Sequence, residues 1–175
     1  MRLRNNPKAY EIMNENSDFV VIEPENLKNN WNDIFDNDKP IYIEIGMWKG
    51  DFIFQNACNY PDINFIGIEK YPSVLAAAIN KIKQKEKKVT NLRLMRYDAI
   101  ELEKVFSENE VDKIFLNFSD PWPKSRHAKR RLTSNKFLDV YRKILVDDGV
   151  IEFKTDNRSL FEYSLISLNQ YPMDL

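Results

Sequence analysis

The sequence predicts an α/β fold in which a mostly parallel sheet carries helices on both faces. From residue 41 onward, short apolar runs rich in β-branched residues alternate with segments of helical spacing. Strands and helices that alternate along a chain are typical of a parallel sheet, because each helix makes the crossover between two strands. A chain of 175 residues is long enough for one domain with a sizeable core.

Five segments have the composition of buried strands. They are IYIEIG at 41–46, INFIGIE at 63–69, LRLMR at 92–96, VDKIFLNF at 111–118 and VIEFKT at 150–155. Since a helix-like segment separates each one from the next, we expect all five to lie in one sheet.

The segments between these strands have helical spacing. We predict helices over 50–60, 72–88, 99–106, 137–145 and 158–168. Pro72 suits the first turn of its helix. Thr133 or Ser134 is expected to cap the fourth helix, which should end at a turn formed by residues 147–149.

Residues 1–40 have no sustained period, so we predict an N-terminal arm over 1–40 that packs on a domain over 41–175. The start of the chain lacks the apolar core of a signal peptide, and no apolar run approaches the roughly 20 residues that cross a bilayer. We therefore expect a cytoplasmic protein without a membrane partner. A single cysteine, Cys58, and a single histidine, His127, give no reason to expect a disulfide framework or a metal site.

An acidic residue lies at or beyond the carboxyl end of every predicted strand: Glu44, Glu69, Asp98, Asp120 and Asp156. The carboxyl ends of parallel strands meet at one edge of the sheet, where such folds bind their ligands. This pattern favours a ligand with hydroxyls, amines or positive charge. No phosphate-loop lysine accompanies it, which argues against a nucleoside triphosphate.

Glu69 follows Gly46 by 23 positions, about the separation at which an acid on the second strand meets ribose hydroxyls. Nicotinamide dinucleotides and S-adenosylmethionine both allow that contact. A dinucleotide needs three glycines near its pyrophosphate, whereas this turn has only Gly46 and Gly50, with Asp51 beside them. The spacing therefore favours the methyl donor without excluding the dinucleotide.

The segment LNFSDPWPKSRHAKRRL at 116–132 combines a carboxylate with a cluster of cations. Pro121 and Pro123 predict a rigid loop after the fourth strand. Five of the 26 Lys and Arg residues lie between positions 124 and 131, although the net charge of the whole chain is only −1. Such a local cluster permits a nucleic-acid partner.

These residues make the chain similar to the bacterial tRNA (guanine-N7)-methyltransferase family. The matching text is EIG at 44–46, NFIGIE at 64–69, NLR at 91–93, LNFSDPWPKSRHAKRRLT at 116–133 and FKTDN at 153–157. The DPWPK-x-RH-x-KRRL segment is the most specific part. The resemblance covers residues 40–166.

The resemblance implies a Rossmann-like class I methyltransferase fold and methyl transfer from S-adenosylmethionine to N7 of a guanosine in the variable loop of tRNA. We expect a monomer or a homodimer. The residues that the resemblance assigns are Glu44, Gly46, Glu69, Asp98 and Asp120 for the cofactor, Asp120 for catalysis, Lys124 and Asp156 for the substrate, and Arg126, His127, Lys129, Arg130 and Arg131 for RNA.

The chain departs from the family pattern at two places. The family turn reads EIG-x-G-K-G, but Trp48 stands where the second glycine is expected. If that turn needs a positive φ, tryptophan should cost roughly 1–2 kcal/mol, and Trp48→Gly should tighten S-adenosylmethionine binding. Family members also continue for about forty further residues, so we expect the last strands of the sheet to be missing. The alternative function is a truncated, non-catalytic paralogue that binds RNA, and a nicotinamide-dependent oxidoreductase is a distant third.

Overall fold

A computed structural model describes residues 5–172, which form a six-stranded sheet flanked by helices. The strands are β1 Val20–Val21, β2 Ile41–Ile45, β3 Asn64–Glu69, β4 Leu92–Arg96, β5 Val111–Asn117 and β6 Leu145–Lys154. The helices are α1 Ala9–Asn14, α2 Trp31–Phe35, α3 Asp51–Asn59, α4 Pro72–Lys83, α5 Asn135–Ile144 and α6 Arg158–Gln170. Three 3-10 helices span Pro24–Leu27, Ala99–Lys104 and Ser125–Arg130.

All strand pairs of the sheet are parallel, and the strand order is β1-β4-β3-β2-β5-β6. The predicted α/β class with a parallel sheet is confirmed. The chain runs outward from β2 through β3 and β4, then returns to add β5 on the other side of β2. In sheets of this type a crevice opens where the order reverses, at the carboxyl ends of the strands.

The sheet separates two hydrophobic cores. Ile43 and its neighbours on one face of β2 pack with α2, α5 and the 3-10 helix Ala99–Lys104. On the other face, Phe65 of β3 and Phe115 of β5 pack with α1, α3 and α4. Because successive side chains of a strand point to opposite faces, the apolar runs read from the sequence supply both cores.

The described part of the predicted arm, residues 5–40, contributes to the sheet itself. Its strand β1 pairs with β4, with Val20 opposite Leu94. Trp31 is fully buried, donates from Nε1 to the Val105 carbonyl at 2.9 Å and stacks on Phe106 at 5.1 Å. Residues 1–4 of the predicted arm and 173–175 of the predicted domain lie outside the described residues.

Three predicted local features differ in the structure. The predicted turn at 147–149 lies inside β6, which begins directly after α5 ends at Ile144; Leu145 pairs with Val111 and Val150 with Lys113, so residues 146–149 form an irregular bulge in the strand. The predicted helix 99–106 is a 3-10 helix. Ser134 precedes α5, but its hydroxyl donates to the Lys129 carbonyl at 3.2 Å instead of capping the helix.

Strand β6 forms one edge of the six-stranded sheet.

Over residues 5–172, none of the helices combines the length and the apolar character required to cross a bilayer.

Candidate active site at the carboxyl ends of the strands

A tight turn follows β2 and contains three residues in the left-handed region. Gly46, Trp48 and Gly50 have φ values of 73°, 53° and 74°. The amides of Gly46 and Met47 both donate to the Ile68 carbonyl, at 2.9 and 3.1 Å, which ties the turn to β3. The turn therefore does require a positive φ at Trp48, where glycine would be unstrained.

Glu44 is the most deeply placed acid of the rim, with 3% of its surface exposed. Asn117 Nδ2 donates to Glu44 Oε1 at 3.0 Å, and the Ile53 amide, in the first turn of α3, also favours the charged carboxylate. Burial raises the pKa of Glu44 from 4.5 to about 7 despite these two donors. Glu44 Oε2 and Asn117 Oδ1 are both buried and have no hydrogen-bond partner within the described chain.

Glu69 ends β3 and is also buried, with 6% of its surface exposed. Its carboxylate accepts from the Tyr71 amide at 3.0 Å, and the amides of Trp48 and Lys70 also favour its charged form. Burial is the largest cause of its raised pKa, and the negative charge of Asp120 adds to the rise. Both the glycine turn, through the Trp48 amide, and the charge of Asp120 therefore act on the Glu69 carboxylate.

Asp98 follows β4 and caps the 3-10 helix Ala99–Lys104, because its Oδ1 accepts from the Ile100 amide at 3.3 Å. Its other oxygen pairs with Lys70 Nζ at 2.7 Å, and that hydrogen bond raises the pKa of Lys70. Arg130 is close enough to oppose this rise. Arg130, in the cationic segment at 124–131, therefore lies near the end of β3.

Asp120 and Asp156 lie beyond the ends of the neighbouring strands β5 and β6, and both are exposed. The parallel register places Asn117 opposite Lys154, and the Phe118 amide donates to the Lys154 carbonyl at 2.8 Å. The two acids consequently emerge at the same edge of the sheet.

The cationic segment at 124–131 is only partly a loop, since its middle is the 3-10 helix Ser125–Arg130. Its exposed cations are Lys124, Arg126, Lys129 and Arg130. His127 is half-buried and packs edge-on against the Trp122 ring at 5.8 Å, while the Arg130 guanidinium lies over that ring at 4.9 Å.

Arg131 differs from the other cations because it is buried. Its guanidinium donates to the carbonyls of Pro121 and Trp122 at 3.0 and 3.1 Å and lies over the Tyr163 ring at 4.3 Å. These contacts fix the proline-containing loop to α6. The geometry favours a positioning role for Arg131 over the RNA contact predicted for it.

Three aromatic residues at this rim have a strained backbone. Trp48, Phe118 and Trp122 have φ values of 53°, 50° and 43°, a region that costs a residue with a Cβ roughly 1–2 kcal/mol. Phe118 and Asn117 were not among the predicted site residues. An asparagine at a strand end follows no motif, and phenylalanine reads as an ordinary strand residue, so only the fold reveals them.

The acceptors at this rim fit a ligand that carries an amine and hydroxyls, as S-adenosylmethionine does. Glu44 Oε2 and Asn117 Oδ1 are buried acceptors that lack a donor within residues 5–172, and a buried polar group without a partner is costly. Gly46 has no atom within 4 Å of the position that a Cβ would occupy. A ligand can therefore approach the backbone of the turn closely.

Comparison with known proteins connects this geometry to a family. A family model described as "Putative methyltransferase" matches residues 38–173. The tRNA (guanine-N(7)-)-methyltransferase of Geobacillus sp. (strain WCH70) is 53% identical over 175 residues, which are 100% of this chain and 79% of that protein. The chain belongs to the tRNA (guanine-N(7)-)-methyltransferase family. A second family member, from Lysinibacillus sphaericus (strain C3-41), is 51% identical over 99% of this chain and 80% of its own length.

A solved structure supports the fold of this family member. The chain superposes with a TM-score of 0.61 on a protein described as an antibiotic related methyltransferase, at 18% identity, covering 81% of this chain and 72% of the other. The predicted Rossmann-like methyltransferase fold is confirmed. Membership of the family argues against the oxidoreductase, and it does not favour the non-catalytic paralogue.

Proposed function

We propose that this chain transfers the methyl group of S-adenosylmethionine to N7 of a guanosine in the variable loop of tRNA, in the cytoplasm. Family membership supports the reaction, and one structural observation carries the site assignment. The exposed Asp120 lies three residues beyond Asn117, whose amide nitrogen donates to the buried Glu44 at 3.0 Å. One edge of the sheet thus offers buried acids for a cofactor beside exposed acids for a base.

The buried acids are proposed to hold the methyl donor. Glu44 and Asn117 have free acceptors for its amino group, Glu69 is placed for ribose hydroxyls, and Asp98, beyond the end of β4, is proposed as a further cofactor contact. When bound, S-adenosylmethionine supplies an electrophilic methyl group on a sulfonium. Gly46 leaves room for the ligand beside the turn.

The exposed acids are proposed to hold the guanine. Its N7 carries a lone pair and no proton, so the reaction needs no general base. Asp120 and Asp156 can instead accept hydrogen bonds from N1–H and the N2 amino group. Correct alignment of two reactants supplies about 7–11 kcal/mol in favourable cases, so we assign most of the catalysis to orientation.

The methylated guanine is cationic, and the carboxylates at the rim stabilise that charge as it develops. The exposed cations Lys124, Arg126, Lys129 and Arg130, with His127 beside them, are proposed to contact tRNA phosphates. Such contacts position the RNA without reading its sequence. Lys124 is the cation nearest in sequence to Asp120 and is proposed to contact the substrate at the reacting nucleotide.

Methyl transfer to unmodified tRNA tests the proposal. With radiolabelled S-adenosylmethionine, the wild-type chain should incorporate label at the N7 position of a variable-loop guanosine. Asp120→Ala should reduce the rate by at least roughly 100-fold, the scale of losing one preorganised electrostatic group, while its unfolding midpoint stays unchanged because Asp120 is exposed. Asp62→Ala, which removes an exposed acid from the loop before β3, is the matched control and should keep full activity. Absence of incorporation by the wild type would refute the function.

A further inference from the structure

Phe118 is exposed where its sequence position would normally bury it. It immediately follows β5, in which Ile114 and Leu116 are fully buried on one face. Side chains of a strand alternate between faces, so a continued strand would direct Phe118 into the same core. Its φ of 50° turns the chain out of the strand instead, and 66% of the side chain is exposed, more than any other large hydrophobic residue over 5–172.

The backbone at this position is held firmly in the unfavourable conformation. The Phe118 amide donates to the Lys154 carbonyl at 2.8 Å, which continues the ladder between β5 and β6 beyond the last paired residue. An exposed aromatic ring on a left-handed backbone forgoes burial and adds strain. Strained residues of this kind cluster at functional sites, where the surrounding structure maintains them.

The neighbours of Phe118 place it between the two parts of the site. Asn117, directly before it, donates to the buried Glu44. Asp120, two residues after it, acts electrostatically on Glu69. A base held by Asp120 and methylated by a donor near Glu44 has to lie beside this point of the chain.

Trp122 is the other aromatic residue of this loop that could stack on a base, but its ring already contacts two side chains. Arg130 lies over the ring at 4.9 Å, and His127 packs against it at 5.8 Å. No aromatic ring or cation is in such contact with Phe118 within residues 5–172. Its ring is therefore the available one.

We propose that Phe118 is the stacking surface for the target guanine, an inference that rests on the proposed function. An aromatic ring stacks on any base. It also binds a cation over its face, so its interaction strengthens as the guanine gains positive charge during methyl transfer. Phe118 thus orients the base while Asp120 and Asp156 hold its edge.

Phe118→Gly separates this role from a structural one, because glycine tolerates the positive φ and removes the ring. We expect this variant to keep or raise the unfolding midpoint and to bind S-adenosylhomocysteine within twofold of the wild type. Its kcat/KM for tRNA should fall roughly 10- to 100-fold, the scale of losing one base–aromatic contact. Phe118→Tyr keeps the ring and should stay within about threefold of the wild type.

Asn109→Gly is the matched control, since Asn109 also has a positive φ, 58°, but precedes β5 at the opposite end of the strand. It should be as stable as the wild type or more so and fully active. Wild-type kcat/KM in Phe118→Gly would overturn the stacking proposal. If the wild type itself transfers no methyl group, the proposed function fails separately, and stacking is then judged by tRNA affinity: weaker binding by Phe118→Gly supports it, and equal binding overturns it.

Discussion

Glu44 and Glu69, at the ends of β2 and β3, are almost completely buried, whereas Asp120 and Asp156, beyond β5 and β6, are exposed. Backbone amides of the glycine turn and of α3 favour the charged forms of the buried pair. The exposed pair lies on a loop and at the edge strand. One half of the rim is thus built into the core, and the other half is free to adapt to a large substrate.

This difference separates stability from activity. A buried carboxylate that lacks a full set of donors destabilises the folded chain until a ligand provides them. An exposed carboxylate costs little and can be replaced without effect on folding. Substitutions on the two sides of the rim should therefore have different signatures, and the following variants test whether they do.

The largest effect on stability is expected from Arg131→Ala. This change removes a buried guanidinium and leaves the carbonyls of Pro121 and Trp122 without their donor. We expect the free energy of unfolding to fall by about 3 kcal/mol, as for other buried charged hydrogen bonds. Urea denaturation measures it. Arg126→Ala, an exposed cation of the same segment, should stay within about 0.5 kcal/mol of the wild type. Equal stabilities of the two variants would show that the buried contacts of Arg131 do not stabilise the fold.

Glu44→Gln should show a pH-dependent gain in stability. The pKa of Glu44 is raised to about 7 in the folded chain, from 4.5. Below pH 4.5 Glu44 is protonated in both the folded and the unfolded chain, so it does not lower the stability. Between pH 4.5 and 7 the unfolded chain releases the proton first, so the free energy of unfolding of the wild type falls as the pH rises. The full shift corresponds to about 3 kcal/mol.

The measurement for Glu44→Gln is urea denaturation at about pH 5 and about pH 8, on either side of most of this transition. The stability of the variant relative to the wild type should increase between the two values, because glutamine carries no charge. Glu108→Gln, an exposed substitution near the other end of the sheet, should show no such change. A pH-independent difference for Glu44→Gln would mean that the carboxylate is solvated in the folded chain.

How much of this rim follows from the sequence depends on the residue type. The acids at the strand ends were predictable, because an acid follows each apolar run and the carboxyl ends of parallel strands meet at one edge. Asn117, Phe118 and the burial of Arg131 were not, because asparagine, phenylalanine and one arginine among five cations carry no periodic signal. Strand β1 was missed since two residues are too few to show alternation. The start of β6 was misplaced because residues 147–149 have the composition of a turn.

Trp48→Gly should have a smaller effect on stability and a clear effect on ligand affinity. Removal of the side chain from a residue with a φ of 53° relieves roughly 1–2 kcal/mol of strain. The greater freedom of glycine in the unfolded chain offsets about 0.4–1 kcal/mol of that gain. We expect tighter S-adenosylmethionine binding in calorimetry, because glycine removes a large, half-exposed side chain from the turn that faces the ligand. Equal affinities of the variant and the wild type would contradict the expectation.

The smallest effect on folding is expected from the exposed cations. Arg126→Ala and Lys129→Ala should leave the unfolding midpoint unchanged. Each should reduce the slope of log affinity for tRNA against log salt by about 0.7–0.9 if it neutralises one phosphate. Lys83→Ala, an exposed lysine at the end of α4, is the control and should leave the slope as it is. A control with the same effect would show that the whole surface, not the 124–131 segment, attracts the RNA.

The position of β1 in the sheet has a consequence for the order of folding during synthesis. Val20 pairs with Leu94, and Trp31 donates to the carbonyl of Val105, so each of these residues is made more than 70 residues before its partner. Contacts between distant parts of a chain close slowly because the intervening loop must be ordered first. On the ribosome, the N-terminal segment has to wait, with its tryptophan unburied, until β4 and the following 3-10 helix have emerged.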